Sequence, residues 1–453
     1  MEDLELTIKP EDYSLLTDLY QLTMGACYVG EGLDQRRASF ELTVRRLPKG
    51  FGYLIAMGLA QALDYLKKLH FSAAQIEFLQ TSGLFDHAPA EFWTLLQDGR
   101  FTGDVWAMPE GTAVFPNEPL LRIEAPLWQA QLVETYLLNT VNYQTLVATR
   151  AARMRDAAGA ESTLLEFGTR RAFSPQASVW AARAALAAGL DATSNVLAAQ
   201  KLGRQPTGTM AHALVMALSA TQGTEAQAFT AFHRHFPGAP LLIDTYDTIA
   251  AARELSTYLR DGNQSLAGVR IDSGELLSLS QQVRDVLPGV PIFASGDLDE
   301  YKIAQLKAAG APIDGYGLGT QLVTGSPVNG VYKLVEIDGI PVMKESPGKI
   351  TYPGRKQVFR QMEQGVVTQD CLGLISDSLS ATPLLQLVFK QGHRVQEPES
   401  LSAIAERTAK SIHSLPSWVR QLDEPTSIPV ELSSSLADLI QHTHQRFVPS
   451  ATP

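Results

Sequence analysis

An α/β barrel joined to a β-rich layer is the fold class this sequence predicts, and three observations carry it. Between residues 163 and 323, short strand-like runs alternate with helical ones, each run closing on a polar residue or a glycine. Six or so such βα units fit a parallel barrel better than an open sheet. From 103 to 126 the texture differs: short strands are broken by turn residues, as in Gly103-Asp104-Val105-Trp106-Ala107-Met108-Pro109-Glu110-Gly111, which reads as a small β-rich layer. Third, the chain has 453 residues, 45% hydrophobic and 19% charged. That is enough for about three globular domains with ample core. The expected division is a β-rich and helical domain over 1–140, the barrel over 141–330, and return strands with a C-terminal helical segment over 331–453.

In order along the chain, residues 13–29 read as a helix with Thr17-Asp18-Leu19-Tyr20-Gln21-Leu22-Thr23-Met24 at its centre. Strand-like pieces follow at 38–44 and 51–57, and Leu- and Ala-rich helices fill 58–100. The short strands of the β-rich layer end at Ile123-Glu124-Ala125-Pro126, and 128–158 is helical. The barrel strands are then Thr163-Leu164-Leu165-Glu166-Phe167, the step Ala192-Thr193-Ser194, Leu241-Leu242-Ile243-Asp244, Gly268-Val269-Arg270-Ile271-Asp272, Pro291-Ile292-Phe293-Ala294-Ser295 and Gly315-Tyr316-Gly317-Leu318-Gly319. Strand pattern returns at 331–360. A Ser/Pro-rich connector near 411–433 leads to a last helix around 434–445.

The net charge of −11 argues against a nucleic-acid partner, which needs a basic face. It leaves room for a small anion held by local arginines. Two cysteines, Cys27 and Cys371, are too few for a disulfide framework or a thiolate metal site, and they read as reduced small hydrophobes. The acidic start Met1-Glu2-Asp3-Leu4-Glu5 leads into no apolar run. The expectation is therefore no signal peptide, no membrane span and a cytoplasmic protein.

In barrels the reactive groups gather at the C-terminal strand ends, where the polar residues of these runs fall. Gly208-Thr209-Met210-Ala211-His212 precedes the apolar, helix-forming run Ala213-Leu214-Val215-Met216-Ala217-Leu218, which puts His212 in a first helical turn. Unpaired N–H groups and the helix dipole there disfavour an imidazolium and welcome a phosphate, leaving a neutral nucleophile. Asp244 and Asp272 each end a strand, as reactive carboxylates or as helix caps. Arg270, a charge within Val269-Arg270-Ile271 and next to Asp272, is hard to explain as surface. Ser295-Gly296-Asp297 and Gly317-Leu318-Gly319-Thr320 are turns whose backbone N–H groups can approach a phosphate closely. Lys344, Lys349, Arg355 and Lys356 form a basic run, either phosphate ligands or a solvated face.

Six segments in this order resemble nicotinate phosphoribosyltransferase, a type II phosphoribosyltransferase family: 16–24, Glu166-Phe167-Gly168-Thr169-Arg170-Arg171, Thr193-Ser194-Asn195-Val196, 208–212, Val269-Arg270-Ile271-Asp272-Ser273-Gly274, and 317–320. The resemblance spans roughly residues 13–445. It implies an irregular α/β barrel packed on a β-rich domain built from the N-terminal part and the return segment. It also implies a homodimer with shared active sites. The reaction it implies joins nicotinate to 5-phosphoribosyl pyrophosphate with ATP as co-substrate, in a ligase-type step of NAD salvage that gives nicotinate mononucleotide, pyrophosphate, ADP and phosphate.

Roles follow from the same resemblance. Phe167 and a partner-subunit Tyr20 clamp the pyridine ring, each face contributing about 0.5–1.5 kcal/mol beyond burial. Arg270 and Arg170 hold the carboxylate or the nucleotide phosphate, since a planar guanidinium suits either anion. Asp272 accepts hydrogen bonds from the ribose hydroxyls and stabilises the cation-like ribose. Asp244 orients His212 or holds Mg²⁺ through water, the metal otherwise riding on substrate phosphates with no direct protein ligand. Thr209, Ser295, Gly296, Gly317, Gly319 and Thr320 line the substrate site, and His212 becomes a phosphohistidine.

The related enzyme that uses nicotinamide carries an aspartate where this chain has Ser194. Two carboxylates about 4 Å apart oppose each other by roughly 4 kcal/mol at an effective dielectric of about 20, so a hydroxyl there favours the acid substrate. The neighbouring Asp191 reverses this if it faces the pocket, and its place before the strand step turns it away. The alternatives are a nicotinamide or quinolinate phosphoribosyltransferase, the latter needing more cationic groups. A barrel aldolase or Schiff-base enzyme needs a lysine at a strand end, and none of the six strands has one.

Overall fold

Strands Arg37–Val44 and Pro119–Pro126 are buried along nearly their whole length, as strands covered on both faces are. They pair antiparallel at the middle of a seven-stranded sheet, with Gly330–Ile337 and Ile340–Pro341 on one side. Asp104–Ala107, Gln386–Lys390 and His393–Arg394 lie on the other. A second sheet has the order Thr382–Pro383, Lys356–Glu363, Val366–Leu374, Val430–Leu432. This computed structural model describes residues 6–260, 266–346 and 349–447, with the side chains of Gln222, Lys349 and Phe447 outside that description. The chain divides into two units: 1–146 with 327–400 and 410–453, and 147–326 with 401–409.

In the first unit the helix expected over 13–29 begins only at Leu19 and ends at Gly30. Pro10–Asp12 forms a 3-10 turn, and the Tyr13 ring packs 5.0 Å from that of Tyr136 and 5.9 Å from that of Tyr65. Asp18 is extended, and its carboxylate accepts the Thr135 hydroxyl at 2.8 Å. These tertiary contacts outweigh the helical pattern of 13–18. Helices Leu59–Lys68, Ala73–Thr81 and Ala90–Asp98 follow the first sheet strand, the second closed by a Ser72–Gln75 capping box.

The second unit is built on six parallel strands in the order Ala192–Thr193, Thr163–Glu166, Gly315–Leu318, Ile292–Ala294, Val269–Ile271, Leu241–Leu242. Read as a ring, that order is the chain order, which is the signature of a barrel. Among the described residues no ladder joins Ala192–Thr193 to Leu241–Leu242, so the barrel has one open seam. The chain between those strands crosses it: Thr207 N–H donates to Thr193 C=O at 2.9 Å, and Ala211 is extended just before helix His212–Gln222 begins.

The outer helices start where their caps dictate. Ser174 accepts Ala177 N–H before Pro175–Ala187, Asn195 accepts Ala198 N–H before Val196–Lys201, and Asp299 accepts Lys302 N–H before Glu300–Ala308. Fully buried Ala181, Ala182, Ala184, Ala185 and Ala187 let the first of these helices lie close on the strands.

Candidate active site

Strand Leu241–Leu242 and buried Ile243 deliver Asp244, whose side chain is only 2% exposed. Its Oδ2 accepts the backbone N–H of Asp272 at 2.9 Å and the hydroxyl of Ser273 at 2.7 Å. Its Oδ1 lies 3.2 Å from His212 Nε2. A carboxylate already accepting two hydrogen bonds takes the third from the ring, which assigns the imidazole proton to Nε2 and leaves the Nδ1 lone pair free. His212 is the first residue of its helix, and Ala211 offers no side-chain cap to the open N–H groups around it.

Asp272 follows strand Val269–Ile271, and its Oδ1 accepts the Ser295 hydroxyl at 2.5 Å. Gly296, at φ +96°, brings its backbone so near that a Cβ would sit 2.1 Å from the Asp272 carbonyl oxygen; only glycine fits. Asp272, Ser273, Ser295, Gly296, Asp297 and Lys302 are among the lining of a cavity of about 670 Å³.

On that same strand Val269–Ile271, Arg270 lies with Cζ 5.8 Å from the centre of the Phe167 ring, and its NH2 donates to the Met210 carbonyl at 3.3 Å. Burial pulls its pKa down and the neighbouring Arg170 adds to that, while Asp272 and Asp244 act the other way. Its Nε is buried without a partner. Phe167 lies flat over Gly317, where a Cβ would meet the ring at 2.6 Å. Gly319 has room by comparison, and Thr320 opens the short helix Thr320–Val323.

Ser194 is half-buried, its N–H on the Glu166 carbonyl at 3.0 Å and its Cβ 4.0 Å from where a Gly208 Cβ would stand. Thr209 donates its hydroxyl to the Met210 carbonyl. Asp191 is turned to the other end of the barrel, its Oδ2 accepting Arg155 at 2.6 Å and the Leu164 N–H at 2.7 Å. Arg170 is exposed. Thus His212, Asp244, Asp272, Ser295 and Gly296 form one connected group, and Phe167, Arg270 and Gly317 another beside it.

Tyr20 belongs to the first unit, exposed on helix Leu19–Gly30, and burial of its ring edge with Glu134 and Asp18 nearby pushes its phenol up. The basic run divides. Lys356 is neither a phosphate ligand nor solvated: it is buried against Glu41 at 2.9 Å and donates to the carbonyls of Tyr352 and Gly354. Arg355 pairs with Glu336 at 2.9 Å and Glu124 at 3.2 Å. Lys344 is exposed, and the Lys349 side chain lies outside the described residues.

Sequence reasoning missed Glu166. It ends strand Thr163–Glu166 with no exposure, Oε1 on Gly168 N–H and Oε2 on the Thr193 hydroxyl, both at 2.5 Å. The signal was the one that marked Asp244 and Asp272, a lone acid closing an apolar run, overshadowed here by the adjacent phenylalanine.

Comparison with known proteins gives the same reading across the chain. The model described as the nicotinate phosphoribosyltransferase (NAPRTase) family matches residues 162–290, and those of its N-terminal and C-terminal domains match 15–142 and 374–440. A nicotinate phosphoribosyltransferase of Mycobacterium tuberculosis is 41% identical over 443 residues, covering 95% of this chain and 94% of its own. One of Bacillus subtilis is 37% identical over 490 residues, covering 98% and 97%. The crystal structure of human nicotinic acid phosphoribosyltransferase matches with a TM-score of 0.82 at 31% identity, over 94% of this chain and 99% of that one. A nicotinate-nucleotide pyrophosphorylase from Pyrococcus furiosus matches with 0.75 at 26%, over 91% and 99%. With the barrel, its strand-end carboxylates and these likenesses in agreement, this chain belongs to the nicotinate phosphoribosyltransferase family.

Proposed function

We propose that this chain joins nicotinate to 5-phosphoribosyl pyrophosphate in NAD salvage, and that ATP hydrolysis is coupled to the step through His212. The observation that carries the coupling is the Asp244 carboxylate, which holds the His212 ring and the Asp272 backbone at once. Asp272 stands beside the ribose, where its charge lowers the energy of the cation that develops as the C1–pyrophosphate bond breaks and the pyridine nitrogen bonds to C1. Phe167 stacks on the ring, and Arg270, whose Nε is unpartnered, takes the nicotinate carboxylate. Ser194 leaves that carboxylate unopposed, and the outward turn of Asp191 supports the acid over the amide.

His212 Nδ1 attacks the γ-phosphorus of ATP, the bond to ADP breaks, and water later hydrolyses the phosphohistidine to phosphate. Mg²⁺ travels on the substrate phosphates. When bound it neutralises charge on the departing pyrophosphate. The engaged oxygens of Asp244 suit the orienting role. We place the enzyme in the cytoplasm as a homodimer with Tyr20 completing the partner's site; no helix among the described residues is long and apolar enough to cross a membrane. The decisive assay offers nicotinate or nicotinamide with 5-phosphoribosyl pyrophosphate and Mg²⁺, with and without ATP. Turnover of nicotinate stimulated by ATP is expected, and equal use of the amide overturns the reading.

A further inference from the structure

Glu166 is a carboxyl group buried without a cation. Its side chain has no exposure, and among the described residues it forms no ion pair. The elements packed on it carry few charges: Arg183 on helix Pro175–Ala187 and Tyr316 on strand Gly315–Leu318, while Asp191 before strand Ala192–Thr193 is committed to Arg155. None of these acts on Glu166, whose environment is its burial, the Thr193 hydroxyl and the Gly168 N–H. A carboxylate in such a place is costly, and the usual remedy is to keep the proton.

The group nonetheless holds two strand ends together. Oε1 accepts Gly168 N–H, which fixes the turn just after Phe167. Oε2 meets the Thr193 hydroxyl, which in turn accepts Asn195 N–H at 2.9 Å, so Ser194 is held between two fixed neighbours. A Cβ on Gly168 would collide with Val323 at 2.3 Å and stand 2.9 Å from Glu166 Oε1, so the turn has one way to lie.

We propose that Glu166 is a positioning residue that works in its neutral form: it fixes the strand ends bearing Phe167 and Ser194 and keeps negative charge away from the nicotinate carboxylate. This rests on the reading of those two residues as the nicotinate pocket. Burial pushes the Glu166 carboxyl up, the direction that retains the proton, against the smaller effects of its two hydrogen bonds. As pH rises through that raised value the proton leaves, an anion appears behind the pocket, and KM for nicotinate climbs.

Glutamine is the isostere of the neutral acid: it accepts from Gly168 and donates to Thr193. Glu166→Ala is expected to raise KM for nicotinate about tenfold, with kcat changed less, because it strands the buried Gly168 N–H and the Thr193 hydroxyl. Glu166→Gln should recover most of that loss and give a KM that no longer climbs as pH rises above the ordinary carboxylate range. Glu166→Asp keeps the carboxyl group but shortens the reach, and should not recover it. Difference infrared spectra of wild type minus Glu166→Gln, taken just above the ordinary carboxylate range, should show the C=O band of a protonated carboxyl. A carboxylate band alone, or a glutamine variant as impaired as alanine, overturns the proposal. If wild type itself fails to use nicotinate, the reading of the pocket fails instead, while the infrared result still decides the state of Glu166.

Discussion

At position 194 the chain offers a hydroxyl to the proposed nicotinate pocket, its Cβ next to Gly208 and its backbone N–H on the Glu166 carbonyl. Replacing it with a carboxylate sets two like charges against each other, worth roughly 4 kcal/mol at about 4 Å and an effective dielectric near 20. Ser194→Asp should therefore raise KM for nicotinate by about two to three orders of magnitude. Use of nicotinamide should change far less, and equal losses for both bases would remove Ser194 from substrate choice. The imidazole of His212 is the second residue whose role is decided by one partner. With Asp244 holding Nε2, the free Nδ1 is the atom expected to carry phosphate. Incubation with γ-labelled ATP should leave acid-labile, alkali-stable label on wild type and none on His212→Ala, which should keep its fold by circular dichroism. Label that survives in the variant dismisses this histidine.

Helix Glu225–His235 shows how an element can start against its own electrostatics. Thr224 and Gln227 form its capping box, yet Glu225 in the first turn has a buried Oε1 without a partner. Burial, reinforced by Glu254, Asp244 and Asp247, pushes its carboxyl up to about 7. The folded chain therefore holds a proton there that the unfolded chain has released above the ordinary carboxylate range. This group's contribution to stability falls as pH rises from that range to about 7 and then levels off. Urea midpoints measured across that window should show the decline in wild type and a flatter profile in Glu225→Gln; parallel profiles would contradict it.

Strands such as Val269–Ile271 and Ile292–Ala294 were legible in the sequence because an apolar run closing on a polar residue is a local signal. Other elements were set by distant partners. Tyr13 leaves the helical pattern for Tyr65 and Tyr136, and Lys356 reads as surface until Glu41, far away in the chain, is brought against it. Helix Leu401–His413 was hidden by its nearness to Ser- and Pro-rich sequence, although Ile404 and Thr408 are buried at helical spacing. His212, Asp244 and Asp272 were readable as candidates one by one; that a single carboxylate joins them was not.

Across the barrel as a whole, acids are treated differently at its two ends. At the strand starts, Asp191 pairs with Arg155 and Asp314 with Arg284, each also accepting the N–H of a neighbouring strand. At the strand ends, Asp244 and Asp272 have no arginine or lysine salt bridge among the described residues and hold hydroxyls, N–H groups and a histidine instead. One end is pinned by charge and the other is left for chemistry. For the proposed dimer, mixing inactive Tyr20→Ala chains with inactive His212→Ala chains should restore part of the activity in the heterodimers. No recovery after confirmed subunit exchange would mean that one chain builds the whole site. The open seam of the barrel has a consequence in time. Thr207 is tied to the strand beside it, but among the described residues the N–H groups of Gly208, Thr209 and Met210 donate to nothing. Deuterium should enter these three amides well before those of Val269–Ile271, and saturating substrate should slow them without changing the strand, so that the stretch carrying the histidine keeps a faster clock than the barrel that holds it.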